Sequence, residues 1–415
     1  MRRFGGTFRA FGERGYLLLW STNCLSDTAR WMQMTLVAWL VLELTDSSWS
    51  VALVGFFFFL PTLVLGLGGG VLADRVDRRL LLIATLSVNI AASLGFTALL
   101  AMGAVRVWEA YLTILINGAA WAIGFPSRRA LIFDLLGAQV VTNAMALDTL
   151  GMNISRVLGP GMGGALISLT GVSGGYAAVT LFYASAFILL FPLKIKRPQR
   201  RECRNDSFLC SLLEGFRYIH RIPTLLAVVW ITVAMNLLLF PYMPMVSVIA
   251  RDVLHVGPTL MGLLQAAQGF GAVFGSILIA SAGSIVYHGR IFVAGALVSF
   301  IGLGAFSLSG FFAVSFPSLL FLGLGSAGFS TMQAATVLLV AKEEMRGRSL
   351  GVVSLAIGAG PLGSLALGAA SDALGAVSAL GMNAFLGFLA VAAITAALPL
   401  IAGRTEPDAE SVRLR

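Results

Sequence analysis

Charge is what this chain has least of. Asp, Glu, Lys and Arg together make up 11% of its 415 residues, against 58% for the hydrophobic types, whereas an ordinary soluble domain carries about 25% charged residues. A soluble fold of this length needs far more charged surface to stay dispersed. The shortage therefore excludes a soluble enzyme, a disordered chain and a nucleic-acid-binding domain. Histidine and cysteine are as scarce. His220, His255 and His288 are scattered, and no H-E-x-x-H, G-x-S-x-G or pair of catalytic carboxylates accompanies them, so neither an integral-membrane enzyme nor a metal site is expected. Cys24, Cys203 and Cys210 offer no disulfide framework and no ligand spacing. The pattern G-x-x-x-x-G-K-[ST] is missing too, which excludes ATP as the direct driver. No cofactor is expected.

What the chain does have is hydrophobic length. Its mean hydropathy is +0.90, and long apolar stretches without strand alternation read as helices in lipid. At roughly 25–30 residues per crossing with its share of a turn, the length allows about 12–14 crossings and no sizeable soluble domain. The predicted spans are 16–44, 50–73, 80–103, 108–133, 143–170, 174–193, 224–248, 258–283, 289–310, 314–341, 349–371 and 377–401. The expected fold is an all-α polytopic membrane protein with twelve transmembrane helices. It divides into a six-helix bundle over 1–193, a linker over 194–223, a second six-helix bundle over 224–401 and a tail over 402–415. The first apolar run, from Tyr16, is interrupted by Ser21, Thr22, Asn23, Ser26, Asp27 and Arg30. A signal peptide needs an unbroken apolar core, so this run reads as the first transmembrane helix.

The net charge of +9 maps onto topology rather than onto a nucleic acid. With both termini in the cytoplasm, 24 of the 28 basic residues fall on cytoplasmic segments, Arg128 and Arg129 among them, and only Arg106 and Arg251 on outer loops. That asymmetry sets the expected orientation. The linker is basic through Lys194, Lys196, Arg197, Arg200, Arg201 and Arg204, then amphipathic through Phe208, Leu209, Leu212, Leu213, Phe216 and Ile219. It reads as a helix on the inner membrane surface, serving as a tether between the halves or as a clamp on anionic lipid.

Two-fold repetition shows weakly in the letters. Gly159-Pro160-Gly161-Met162-Gly163-Gly164 in span five corresponds to Gly360-Pro361-Leu362-Gly363-Ser364 in span eleven, as expected for a transporter built from repeats. The most specific segment is Gly70-Val71-Leu72-Ala73-Asp74-Arg75-Val76-Asp77-Arg78-Arg79. It resembles the cytoplasmic loop signature of the major facilitator superfamily, G-x-x-x-D-R-x-G-R-R, with Asp77 in place of the usual glycine. The D-R-x-D-R-R form resembles a branch of drug, siderophore and other efflux proteins that includes the enterobactin exporter. Trp31-Met32-Gln33, Pro126-Ser127-Arg128 and Arg346-Gly347-Arg348 agree with that branch, and the resemblance covers essentially the whole chain.

The resemblance implies a cytoplasmic gate at Gly70, Asp74, Arg75, Arg78, Arg79, Arg346 and Arg348. Glycine permits close backbone approach, Asp74 suits a helix N-terminus, and the arginines are expected to pair with carboxylates or helix C-termini of the opposite half. Gly159, Pro160, Gly163 and Gly164 resemble the core of the fifth-helix antiporter signature, with Ser155 where the full signature has glycine; this favours export. The helix-four arginine of proton-coupled members is replaced by Ile114.

Ionisable groups inside spans are costly and usually functional. Asp27 and Arg30 share a face of span one, and Arg156 lies in span five. With helices one and five adjacent, Asp27 is expected to meet Arg156, either as a static pair or as a site. Asp27 is the candidate proton or substrate-cation group, and Arg30 and Arg156 offer positive charge to an anionic substrate or a counter-ion. Gln33, Asn117, Trp121, Asn153, Asn236, Gln268 and Gln333 are candidate cavity-lining residues, with Asn89, Gln265 and the aromatics Trp31, Phe240 and Tyr242 beside them. Pro241 and Pro244 suggest a broken outer part of span seven. The reading these features support is a monomeric secondary transporter of the inner membrane that exports amphipathic compounds or siderophores against protons. A lipid translocator of the same fold, or an importer or facilitator, is the alternative.

Overall fold

In the computed structural model of the chain, residues 9–136, 140–193, 208–281 and 287–402 are described, with side chains described except at 66–75, 142, 208–212, 400 and 402. No strand occurs among the described residues. The helices are α1 (Arg14–Thr45), α2 (Ser48–Arg75), α3 (Arg78–Ala101), α4 (Val107–Leu136), α5 (Val141–Leu190), α6 (Phe208–His220), α7 (Pro223–Ala234), α8 (Tyr242–Val248), α9 (Pro258–Ser281), α10 (His288–Leu308), α11 (Phe312–Val340), α12 (Arg346–Ile357), α13 (Gly360–Leu374) and α14 (Ala376–Ala397).

Nine runs among the described residues are long and apolar enough to cross a membrane. One of them, Asn143–Leu190, has 48 residues, about 72 Å of helix at 1.5 Å per residue, which is twice the bilayer core. Gly171 breaks it with φ 74° and ψ 178°, so α5 makes two crossings. The helices α1 and α4 are long enough to span but too polar along their middle to join the nine, and they complete the twelve. Each predicted span falls on a helix, on a pair of successive helices or, for spans five and six, on one half of α5. The chain is an all-α polytopic membrane protein of twelve transmembrane helices.

Two compact units divide the chain. One comprises Met1–Cys203 with Val256–Ala266, and the other comprises Arg204–His255 with Ala267–Arg415. In the first, α5 packs along α1. A Cβ on Gly159 would lie 2.6 Å from the Cβ of Trp31 and 2.9 Å from the nitrogen of Met32, so only glycine admits this crossing. In the second unit, a Cβ on Gly363 of α13 would lie 2.1 Å from the carbonyl oxygen of Leu237 in the seventh crossing. Both units thus seat their glycine–proline helix against their own first crossing. They also turn alike: α13 and α14 are joined at Gly375, φ 83° and ψ 152°, as the halves of α5 are joined at Gly171. That backbone region is essentially reserved for glycine.

The seventh crossing is interrupted as the prolines suggested. Pro241 and Pro244 cannot donate backbone hydrogen bonds. Between α7 and α8 the chain takes a π-helical turn at Met235–Leu239, closed by a bond from the Phe240 N–H to the Met235 carbonyl at 3.0 Å. A second π turn, Ile249–Val253, follows α8.

The short helix α6 covers the amphipathic part of the linker, while residues 194–207 lie outside the described residues. It packs on α12 within the second unit. Arg348 Nη1 bonds Glu214 at 2.9 Å, the Tyr218 hydroxyl accepts from the Lys342 N–H at 3.0 Å, and Gly215 backs onto the Arg348 carbonyl. Leu213 and Phe216 are left exposed. At the start of α3, Asp77 explains its own departure from the family pattern. With φ −57° it needs no glycine, and its carboxylate caps the helix by accepting from the N–H groups of Arg79 (2.9 Å) and Leu80 (3.2 Å).

Candidate functional site

Four charged side chains are buried among the described residues, all in the first unit: Asp27, Arg30, Arg128 and Asp148. Arg128 of α4 donates from Nη1 to Asp27 Oδ2 of α1 at 2.9 Å. Its Nη2 lies 3.6 Å from Asp148 Oδ2 of α5. Asp148 is steadied from the other side by Asn23, whose amide donates to Oδ1 at 3.0 Å. One guanidinium therefore serves two carboxylates on different helices, with Nε and Nη2 of Arg128 left without hydrogen-bond partners.

This corrects two expectations. Asp27 is held by Arg128 rather than by Arg156, whose guanidinium sits over the Trp31 ring at 5.0 Å. Arg128, counted above among the cytoplasmic cations, is a buried residue, because carboxylates of α1 and α5 face it. Asp148 was not singled out. It falls inside the predicted fifth span and met the same criterion as Asp27.

Arg30, one turn beyond Asp27, is packed differently. Its guanidinium lies between the rings of Phe58 (4.1 Å) and Trp121 (4.2 Å), and its Nε has no partner. Stacking on aromatic faces contributes about 0.5–2 kcal/mol, less than the several kcal/mol that burying an ion costs. The rings alone do not offset its burial.

Asp27, Arg30 and Arg128, but not Asp148, line a pocket of about 60 Å³ together with Thr22, Ser26, Asn89, Asn117, Trp121 and Tyr183. Room of that size admits a few water molecules and not a whole organic cargo, whose pockets run to roughly 300–1,000 Å³. Asn117 donates to the Tyr183 hydroxyl. Gln33 lies behind the wall and donates to the Tyr176 hydroxyl at 2.8 Å. Asn153 is half-buried on α5 and is not part of the pocket wall. The remaining amides belong to the second unit. Asn236 donates to the Thr232 carbonyl at 2.9 Å and Gln333 to the Thr232 hydroxyl at 2.7 Å, while Gln268 is buried with its amide nitrogen unpartnered.

Two of the gate arginines make contacts within the first unit. Arg78 bonds Asp134 of α4 at 2.6 Å, and Arg79 donates to the Phe191 carbonyl, at the C-terminal end of α5, at 2.6 Å. Both partners, a carboxylate and a helix C-terminus, belong to the first unit. Arg78 and Arg79 open α3, whose neighbours in the unit are α4 and α5. Gly70, Asp74 and Arg75 lie in α2, and their side chains fall outside what is described. Arg346 opens α12, and Arg348 reaches the linker helix. Of the helix-five residues, Gly159 and Gly163 face α1 at Trp31–Thr35. Gly164 lies against Pro258 and Gly262, which group with the first unit, and Pro160 sits within the unbroken part of α5.

Comparison with known proteins agrees with this architecture. Residues 5–413 match the family described as transmembrane secretion effector. The enterobactin exporter EntS of Shigella flexneri is 28% identical over 360 residues, 82% of each chain. The uncharacterized MFS-type transporter YfiS of Bacillus subtilis (strain 168) is 25% identical over 224 residues, about half of each chain (52% and 51%). Among solved structures, the nucleoside transporter NupG superposes with a TM-score of 0.73 at 12% identity, covering 92% of this chain and 99% of that one. A bacterial homolog of the lysosomal transporter Spinster gives 0.65 at 16%, covering 94% and 95%. At such identities the structural likeness speaks to fold alone. With the family match running almost end to end, the chain belongs to the transmembrane secretion effector family of major facilitator superfamily transporters.

Proposed function

We propose that the protein is a proton-driven exporter of small amphipathic organic compounds, siderophores included, working as a monomer by alternating access with both termini in the cytoplasm. The outward direction rests on the likeness to enterobactin exporters and on the partial helix-five motif. The observation that carries the coupling is the guanidinium of Arg128 between two buried carboxylates. With Asp27 ionised, Arg128 ties α4 to α1. A proton on Asp27 removes that partner's charge and leaves Arg128 free to close the 3.6 Å gap to Asp148, tying α4 to α5 instead. Two exclusive pairings of one cation give the fold two states that a proton chooses between, which is the requirement for coupling.

The test is uptake into inverted membrane vesicles, screening dyes and siderophores with and without a collapsed proton gradient. Uptake is expected to stop on collapse. Asp27→Asn, inserted at normal levels, is expected to lose uphill transport by about a hundredfold or more, the scale of removing an essential proton-transfer group. Undiminished, still proton-dependent uptake by Asp27→Asn would remove Asp27 from the mechanism.

A further inference from the structure

We infer that Arg30 is the anchor of a binding site for a carboxylate, either a small free carboxylate or the carboxylate end of a larger molecule. Three observations meet at this residue. Its side chain is 94% buried by its 6% exposure. Both faces of its guanidinium are covered by Phe58 and Trp121, so only the N–H edge is available to a partner. Among the described residues no carboxylate takes that edge by a hydrogen bond: Asp27 gives its Oδ2 to Arg128, and Nε of Arg30 is unpartnered. The edge belongs to the wall of the first-unit pocket, where Asn89, Asn117 and Tyr183 supply further polar groups.

A planar cation stacked on both faces and open at its edge is preorganised for a planar, bidentate acceptor, and a carboxylate matches that fork. The pocket's size sets the limit. It holds a carboxylate group with its first carbon atoms, while a bulkier molecule extends beyond it. Asn117 is placed to select, since its amide nitrogen is engaged with Tyr183 while its Oδ1 is buried without a partner. That oxygen accepts hydrogen bonds and repels a second negative oxygen. A ligand carrying a hydroxyl beside its carboxylate answers both groups, which favours 2-hydroxy acids over plain ones. The inference concerns binding and stands apart from proton coupling.

The test uses the full chain purified in detergent. Thermal unfolding is followed while acetate, lactate or chloride is added at constant ionic strength, and the tryptophan fluorescence that Trp121 contributes is titrated in parallel. A ligand that binds the native state raises the melting temperature in a saturable manner. Saturable shifts are expected with lactate and more weakly with acetate, and none with chloride. Arg30→Gln is expected to weaken binding by about tenfold or more, and Arg30→Lys, which keeps charge but loses the fork, by less. Equal responses to all three anions, or lactate binding unchanged in Arg30→Gln, would overturn the inference. Should Arg30→Gln not fold, Arg30→Lys together with the wild-type ranking of the three anions decides the matter. The detergent titrations carry no proton gradient, so a saturable lactate response there stands whether or not uptake into vesicles proves proton-driven, which separates this inference from the coupling proposal.

Discussion

The two units share a plan and differ in what they bury. In the first, the largest fully buried side chains include Tyr16, Tyr176 and Tyr183, and in the second they include Phe292, Phe300 and Phe306. Each of the three tyrosines hydrogen-bonds within its own unit, Tyr16 to the Ala144 carbonyl at 2.7 Å, for example. All four buried charges are in the first unit. Among the described residues, the second buries only neutral polar groups such as Asn236, Gln268 and Asn383. In exchange it holds the irregular backbone, with the two π turns of the seventh crossing and the step between α12 and α13. One repeat has specialised in electrostatics and the other in shape. Buried charge calls for rigid surroundings that hold partners in register, whereas π turns mark places where a helix departs from regular hydrogen bonding, frequently at functional sites. Placing the two in separate units lets each be altered without disturbing the other.

The sharpest way to break that comparison is to unbalance the charged unit. Arg128→Gln leaves Asp27 and Asp148 buried without their cation, an expected loss of about 3–5 kcal/mol read as a lower melting temperature in detergent. The neutral triple variant Asp27→Asn, Arg128→Gln, Asp148→Asn is expected to recover most of it. If Arg128→Gln melts with the wild type, the cluster is not the buried network described. A smaller effect tests what the units share. Gly159→Ala and Gly363→Ala each drive a Cβ against a neighbouring helix backbone, at 2.9 Å from Met32 N and 2.1 Å from Leu237 O. Each is expected to cost about 1–3 kcal/mol, while Gly161→Ala, with nothing within 4 Å, stays within about 0.5 kcal/mol. Equal melting temperatures for Gly159→Ala and Gly161→Ala would refute the packing assignment. The smallest effect belongs to the neutral unit. Gln333→Leu removes its bond to Thr232 and is expected to lose about 1 kcal/mol with the proton dependence of transport unchanged. A changed proton dependence would carry the coupling into the second unit.

The fold was legible because lipid makes hydropathy decisive: twelve spans, the linker helix and the proline-broken seventh crossing all follow from apolar length and donor loss. The site was legible only in part. Asp27 and Arg30 stand out in α1 because nothing else nearby is charged. Arg128 hides beside Arg129 in what reads as an ordinary basic helix end, and a linear sequence does not reveal that Asp27 of α1 and Asp148 of α5 come within its reach. Asp148 sits near the start of a predicted span, where an acid looks like a boundary residue until three helices bring it within reach of Arg128. The hydroxyls of Tyr176 and Tyr183 were invisible for another reason. A tyrosine in an apolar run scores as hydrophobic, and only packing shows which amide its oxygen meets.

Gly171 and Gly375 have a practical consequence for anyone who handles this protein. Each joins two full crossings through a single residue in a backbone conformation that other amino acids rarely adopt, so neither connection has slack for a tag, a protease site or a circular break. Splitting the chain into coexpressed fragments, or threading a reporter between crossings, should avoid these two glycines and begin instead at longer connections such as Met102–Arg106, where five residues separate α3 from α4.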